Sequence, residues 1–596
     1  MKTTKYLLLT STGILTACNT CQETPPNVIV ILADDQGWGD LSINGNTSIQ
    51  TPNIDRIGRE GIQMDNFYVC PVSAPTRAEF LSGKYAYRTG VVGVSEGQER
   101  MSADADVRTI ANVFQDAGYG TALFGKWHNG TQYPYHPNAR GFEEFFGFCS
   151  GHWGSYINSP LLDHNGEIVT GEGFLSDEIT ERAINYMNQS NEKPFFVVLS
   201  MNIPHSPMQI TDEWWDKWKD AELLQKATNS QAENVDFTRA ACALNDNIDW
   251  NIGRVFDFLE EKKKLDNTII VYFSDNGPNS NRWNGDMRGI KASVDEGGVR
   301  STLLMRWGNK LPHNKKIEQV GGAIDLLPTL ASMCEIQNET FDIDGMDISD
   351  YLKNENKELT PRKLFSVWGD KTSVRVGNYL LSNDDKLYDL KNDRGQQHPL
   401  PSDGELYDSL TTIRAYYLAD MKEQSINQAN RLYTIGHPNE KYSRLPARDA
   451  HFCGNIVRSN QYPNCSYLTN WTNEQDKITW DVDVIKSGKF EVILYYTCDS
   501  TALGSTITCA TDRQKLTNKL LLAADSKIHA AEFDRVPRGE SHVLKFKPWS
   551  MGEITLQQGK QQICLSASDL RTDQNVMNMA LMVLKRIEES SKNSPE

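Results

Sequence analysis

The run 27-NVIVILADD-35 decides the fold. Val28 to Ala33 is apolar without a break, and Asp34 and Asp35 end it. A strand with one wet face alternates; an unbroken apolar run of this length is a strand covered on both faces, as in a parallel sheet. Three more runs share the pattern: Tyr119 to His128, Pro194 to His205, and Thr268 to Asn276. Each stops at polar or charged residues. In open α/β sheets ligands bind beyond the carboxyl ends of the strands, so four strand ends are expected to meet at one site. Adjacent carboxylates form a hard-oxygen ligand set for Ca2+ or Mg2+, although Asp-Asp taken alone is more often a helix cap or turn. Asp275 and Asn276 add two oxygen donors at a second strand end.

Helices fill the spaces between these strands. Phe237, Ala241, Leu244, Ile248, Ile252, Val255 and Leu259 recur at spacings of three and four, an amphipathic stripe. Arg108 to Ala117 reads as a shorter helix closed by Gly118. The fold class is therefore α/β: residues 25–350 form a large domain with a mixed, mostly parallel sheet flanked by helices. Residues 360–435 read as a small antiparallel sheet with one helix. Residues 427–450 show little periodicity and read as a linker. Residues 445–588 turn to alternating patterns, as in Trp480 to Val484, and predict an all-β sandwich.

The chain has 596 residues, 61 basic and 78 acidic, with a formal charge of -17. That balance offers no general attraction to nucleic acid or an anionic membrane. An anionic substrate needs a locally basic pocket or a metal. Residues 1–17 read as an export signal: Lys2 and Lys5 precede an apolar stretch too short to span a bilayer. Leu15-Thr16-Ala17-Cys18 resembles a bacterial lipobox, which implies cleavage before Cys18, lipidation of its thiol and a periplasmic or cell-surface lipoprotein held to the membrane only by that lipid. Of the 11 cysteines, five crowd into the last quarter. Pairing of Cys453 with Cys465 and of Cys498 with Cys509 is one arrangement an exported chain allows.

The stretch 70-CPVSAPTRAEFLSGKY-85 offers two nucleophiles, Cys70 and Ser73. Pro75 suits the first turn of a helix, which puts Ser73 near free backbone N–H groups and a positive helix end. An ordinary capped helix has the same pattern. With these residues together, the chain resembles the type I sulfatases of the alkaline phosphatase superfamily. Their Cys/Ser-x-Pro/Ala-x-Arg motif with a downstream Leu-x-Gly is matched by Ser73, Pro75, Arg77, Leu81 and Gly83. Cys70 is out of register. Asp34-Asp35, Gly125-Lys126-Trp127-His128, His205 after Asn202-Ile-Pro, Ser274-Asp275-Asn276-Gly277, Lys291 with Glu296-Gly-Gly, and Leu387-Tyr-Asp-Leu with Asp393 follow in the family's order. The resemblance spans roughly residues 25–435. Thr76 and Asn129 depart from many relatives.

The resemblance implies that Ser73 is converted to formylglycine by a serine-type radical maturase, and that the hydrated aldehyde attacks sulfur. It implies one Ca2+ held by Asp34, Asp35, Asp275, Asn276 and the Ser73 position. Arg77 and His128 would position the nucleophile, Lys126 and Lys291 would neutralise sulfate, and His205, helped by Lys291, would protonate the leaving oxygen. His152, Trp153, Arg282, Trp283 and Arg288 stand in loops that fit a sugar, so a sulfated saccharide is the expected substrate. Loop packing explains each of them equally well. Two other functions stay open: a phosphodiesterase or phosphomutase of the same superfamily, and a non-catalytic glycan-binding lipoprotein.

Overall fold

A computed structural model describes residues 24–95, 99–104, 107–190, 193–228, 230–336, 342–353, 361–424 and 432–587. The export signal, Cys18 and residues 425–431 lie outside the described residues. No helix among the described residues is long and apolar enough to cross a membrane.

The large sheet has eleven strands: β1 Asn27–Ala33, β2 Ile62–Tyr68, β3 Gly120–Lys126, β4 Glu144–Phe148, β5 Leu162–His164, β6 Glu167–Val169, β7 Phe195–Ser200, β8 Thr268–Ser274, β9 Arg300–Arg306, β10 Lys315–Ile317 and β11 Gly321–Gly322. Their order is β10-β2-β9-β8-β1-β7-β3-β4-β5-β6, with β11 beside β2. The four strands read from sequence are its contiguous centre, β8-β1-β7-β3, and all pairs among them are parallel. Val30 stands level with Val198 on one side and Val271 on the other. β9 runs antiparallel to β8 and β2, which makes the sheet mixed.

Helices flanking the sheet include α1 Pro52–Arg59, α2 Ser73–Ser82, α3 Ile110–Asp116, α4 Leu175–Gln189, α5 Asp212–Trp218 and α6 Val235–Glu261. Both faces of β1 are buried, which is why its apolar run is unbroken. Ile29, Ile31 and Ala33 pack with Ile179 of α4 and with Leu244, Ile248 and Ile252 of α6. Val28, Val30 and Leu32 pack with Ala74 and Leu81 of α2 and Phe114 of α3. Each such Val, Ile or Leu contributes about 1.5–3 kcal/mol through burial, so the core holds the polar strand ends rigidly. The α3 helix is shorter than expected. Thr109 Oγ1 accepts a hydrogen bond from Asn112 N (3.2 Å), so Thr109 is the cap and Arg108 lies outside.

Strands Lys363–Trp368, Lys371–Val376, Tyr379–Leu381 and Leu387–Asp389 make the small antiparallel sheet, and helix Glu405–Gln424 follows it. The C-terminal unit is a sandwich of two six-stranded sheets. Two expectations need correction here. Within the expected linker, Tyr433–Ile435 pairs with Lys477–Val484, and Tyr442–Pro446 pairs with Asn578–Arg586. The sandwich therefore starts near residue 432; strands of three and five residues are too short to show a period. The cysteines do not pair as expected either. All nine among the described residues are free thiols. Cys498 follows a strand of one sheet while Cys509 lies in the other. Cys453 is exposed, whereas Cys465 Sγ donates to His152 O across the domain boundary.

Candidate active site

The ends of β1, β3, β7 and β8 and the start of α2 meet at one buried point. Ser73 is the first residue of α2, and its Oγ lies 3.2 Å from Asp34 Oδ1, 3.3 Å from Asn276 Oδ1 and 3.1 Å from Lys126 Nζ. Lys126 Nζ also donates to both Asp34 oxygens, at 2.9 and 2.8 Å. Asp35 faces the other way along the site. Lys291 Nζ lies 2.6 Å from its Oδ1, Asn276 Nδ2 donates to the same oxygen at 2.8 Å, and His205 Nε2 is 3.5 Å from its Oδ2. Asp275 is gripped by Arg77, whose Nε and Nη2 donate to Oδ2 at 3.2 and 2.8 Å. Asp35 and His128 hold left-handed backbone angles, φ 65° and 64°. Such conformations are costly for residues with a side chain and collect at functional sites.

Charge explains the grouping. Asp34, Asp35 and Asp275 are all fully buried, with Lys126, Arg77 and Lys291 as counter-charges. Burial raises Asp34 to about 8 even though Lys126 opposes it. Burial also acts against Asp35 and Asp275. There it is outweighed, by His205 and Lys291 at Asp35 and by Arg77 and Lys126 at Asp275, and both fall below the ordinary carboxylate range. His128 is pushed well down by burial and by Lys126. The donor set presented to a cation is all oxygen: three carboxylates, the Asn276 amide oxygen and Ser73 Oγ, with the last two and Asp34 converging. That set suits a hard divalent ion such as Ca2+. His205 is the one nitrogen ligand in reach of the Asp34 and Asp35 oxygens among the described residues.

The motif's neighbours support it from behind. Thr76 Oγ1 donates to Asp275 O at 2.6 Å and thereby ties α2 to β8. Asn129 Nδ2 donates to Ala74 O at 3.2 Å, one residue past Ser73. Both departures from the family pattern therefore brace the start of α2. Cys70 is buried, and burial pushes its thiol well up, next to Glu79. Two supporting residues escaped the sequence reading. Ser200, the last residue of β7, accepts from Arg77 Nη1 at 2.6 Å and donates to Lys126 O at 2.6 Å. Its place at the end of an apolar run was a usable signal. Glu99, fully buried, puts Oε2 3.2 Å from His128 Nε2 and has no motif around it.

The five loop residues separate. His152 is buried and stacks on His205, ring centroids 5.2 Å apart. Arg288 is half-exposed and reaches Tyr388 and Asp384 of the small sheet. Trp283 leans on Trp38 at 6.2 Å. Trp153 stacks on Phe148 at 5.4 Å and donates to Pro160 O, so it packs the loop. Arg282 is a correction to the substrate-binding expectation. It donates to Asp40, the Asp35 carbonyl, Asn279 and Ser280, which spends all five of its N–H donors inside the protein.

A parallel-centred sheet with buried carboxylates, lysines and a helix-start hydroxyl at its strand ends defines a hydrolase site for an anionic ester. Residues 26–336 match the sulfatase family, and the chain belongs to it. It is 27% identical over 410 residues to N-acetylgalactosamine-6-sulfatase of Canis lupus familiaris, covering 63% of this chain and 74% of the relative. It is 26% identical over 505 residues to N-acetylgalactosamine-6-O-sulfatase of Bacteroides thetaiotaomicron, covering 66% and 95%. The crystal structure of Ps i-CgsB in complex with k-i-k-neocarrahexaose superposes with a TM-score of 0.60 at 25% identity, covering 68% of this chain and 94% of that one.

Proposed function

We propose that this sulfatase removes sulfate from a sulfated carbohydrate, with Ser73 as the residue converted to formylglycine and one Ca2+ in the carboxylate cluster. The observation that carries the reading is the convergence of Asp34 Oδ1, Asn276 Oδ1 and Lys126 Nζ on Ser73 Oγ. Relatives named as N-acetylgalactosamine-6-sulfatases and a similar structure solved in complex with k-i-k-neocarrahexaose support the sugar. Hydrated formylglycine supplies one hydroxyl to attack sulfur and a second through which sulfate is released, an exit that a plain serine sulfate lacks. Ca2+ would be held by Asp34, Asp35, Asp275 and Asn276 and would polarise the attacking hydroxyl and a sulfate oxygen.

The chain's own residues do the rest. Arg77, fixed by Ser200 and Asp275, holds the start of α2 against β3 and β8. Lys126 and Lys291 stand on either side of the cluster, where charge grows on the sulfate oxygens; such preorganised donors contribute about 2.7–4 kcal/mol each. His205 Nδ1 donates to Ser206 O at 2.6 Å, which leaves Nε2 toward Asp35. Burial holds His205 down at about 3 against the pull of Asp35, so Nε2 would take up a proton only as charge builds on the leaving sugar oxygen, to which it then passes it. Export and lipidation at Cys18 belong to the same reading, as does a serine-type maturase as partner.

Mass spectrometry of the Ser73 peptide, from protein made with a serine-type maturase, tests the mechanism. Loss of two hydrogens is expected; an intact serine in active enzyme overturns it. Desulfation of a panel of sulfated mono- and disaccharides tests the substrate.

A further inference from the structure

The sandwich does not sit behind the catalytic unit. One of its loops and one of its turns reach the active-site wall. The loop 151-GHWG-154 lies between them. A β-carbon on Gly151 would stand 2.5 Å from Asn464 Nδ2 and 2.7 Å from His128 Nε2. Asn464, from the sandwich, therefore touches the same backbone spot as His128. A β-carbon on Gly154 would meet Val543 at 2.4 Å. Both glycines are where two domains close on one strip of backbone.

Polar contacts fix that closure. Arg448 Nη1 donates to Ser150 Oγ at 2.7 Å and also to Asn464 O. Cys465 Sγ donates to His152 O at 3.4 Å, and Arg538 Nη1 donates to Gly154 O at 2.8 Å. Beyond His205, the sandwich residue Glu540 accepts a hydrogen bond from Ser206 Oγ. Two buried atoms at this seam have no hydrogen-bond partner among the described residues: Oε2 of Glu540, whose other oxygen takes Ser206, and Nε2 of His152, whose ring stacks on His205. His152 is only 6% exposed. An unmet buried polar atom costs about 1–3 kcal/mol, and a hydroxyl admitted where this seam opens would satisfy either one.

We propose that the β-sandwich supplies part of the substrate-binding wall, with Asn464 and Glu540 contacting hydroxyl groups of the sugar that carries the sulfate. This rests on the reading of the substrate as a sulfated saccharide. The two nearby sandwich cations are engaged, Arg448 with Asp449 and Arg538 with Asp534. The carboxylate of Glu540 accepts hydrogen bonds and repels anions. The site therefore favours a sugar with neutral hydroxyl or amide groups beside the ester over one with a second sulfate or a carboxylate there.

Steady-state kinetics of the full chain carrying formylglycine test this. The substrates are the best sulfated saccharide from the panel and a small aryl sulfate. Asn464→Ala and Glu540→Gln are each expected to raise KM for the saccharide at least tenfold with kcat within about threefold. The kcat/KM ratio of saccharide to aryl sulfate should fall with it. Leu521→Ser, on an exposed sandwich position (67% exposed), is the control and should change neither. Glu540→Gln keeps the side chain's shape and so stays readable if Asn464→Ala unfolds. Unchanged saccharide KM in folded Glu540→Gln, or equal losses on both substrates, overturns the proposal. If the wild type desulfates aryl esters but no saccharide in the panel, the substrate reading itself has failed, and this inference falls with it.

Discussion

Lys126 Nζ lies 2.8 Å from Asp34 Oδ2 and 3.1 Å from Ser73 Oγ, with all three groups buried. One ammonium thus serves two neighbours: it balances the Asp34 carboxylate and it borders the Ser73 hydroxyl, the proposed metal ligand and nucleophile. Lys126→Ala removes both effects. A loss of about 10²–10³ in kcat is expected from one preorganised donor, and metal affinity should change as well. Turnover and calcium titration on the same sample check this. A variant within fivefold of wild type would place Lys126 outside the reaction.

Ser73 and Cys70 separate cleanly. Ser73→Ala should abolish turnover and the two-hydrogen mass change. Cys70→Ala should keep both, because Cys70 packs beneath the helix start. Its cost is about 1 kcal/mol or somewhat more from lost packing. Peptide mass and thermal melting read the two outcomes. Loss of formylglycine in Cys70→Ala with an unchanged melting temperature would move the chemistry back to the thiol.

The sheet centre was legible in the sequence because its strands are buried on both faces, so composition alone marks them. β2 and β9 were not. β2 carries Gln63, Asp65 and Asn66 and a register shift between Met64 and Phe67, and β9 opens Arg-Ser-Thr. The residues that converge on Ser73 were legible because they sit beside strand ends or in a motif. Arg282 was misread since a lone charge does not reveal its partner, and Asp40 is 242 positions away. Asn464 and Glu540 carry no local signal at all. Their relation to His128 and His205 exists only after two domains have closed.

His205 should matter in proportion to how poor the leaving group is. A sugar alkoxide needs a proton as the S–O bond breaks; a nitrophenolate does not. His205→Ala is therefore expected to lower kcat/KM on a sulfated saccharide by about 10²–10⁴, the range for general acid catalysis. On nitrophenyl sulfate the loss should be tenfold or less. Equal losses on the two esters would assign His205 to positioning Asp35 instead.

On the proposed reading Asp34, Asp35, Asp275 and Asn276 hold Ca2+, so the folded state should bind the ion and be stabilised by it. Saturation at a hundred times the dissociation constant contributes about 2.7 kcal/mol. Chelator-treated protein should melt lower and lose activity, and Ca2+ should restore both in a concentration-dependent way. Asp275→Asn should weaken that dependence. The measurement is a series of melting curves at rising Ca2+; a flat series would rule out a structural ion at this site.

Glu440 gives a pH dependence away from the catalytic cluster. It is buried where the sandwich meets the catalytic domain, accepting from Tyr133 N at 3.3 Å and Ser443 Oγ at 2.7 Å. Burial raises it from 4.5 to about 8, against those hydrogen bonds and Arg444, with Asp163 adding to the rise. The native state therefore keeps a proton that the unfolded chain releases. The stability tied to that proton is fully present below pH 4.5 and is lost as pH rises to about 8. Each pKa unit is about 1.36 kcal/mol, so the loss is on the order of a few kcal/mol. Glu440→Gln mimics the protonated carboxyl. It should melt like the wild type near pH 4.5 and higher than the wild type at pH 8. A variant that melts lower than wild type at pH 8 would mean that the carboxylate is ionised and paired with Arg444.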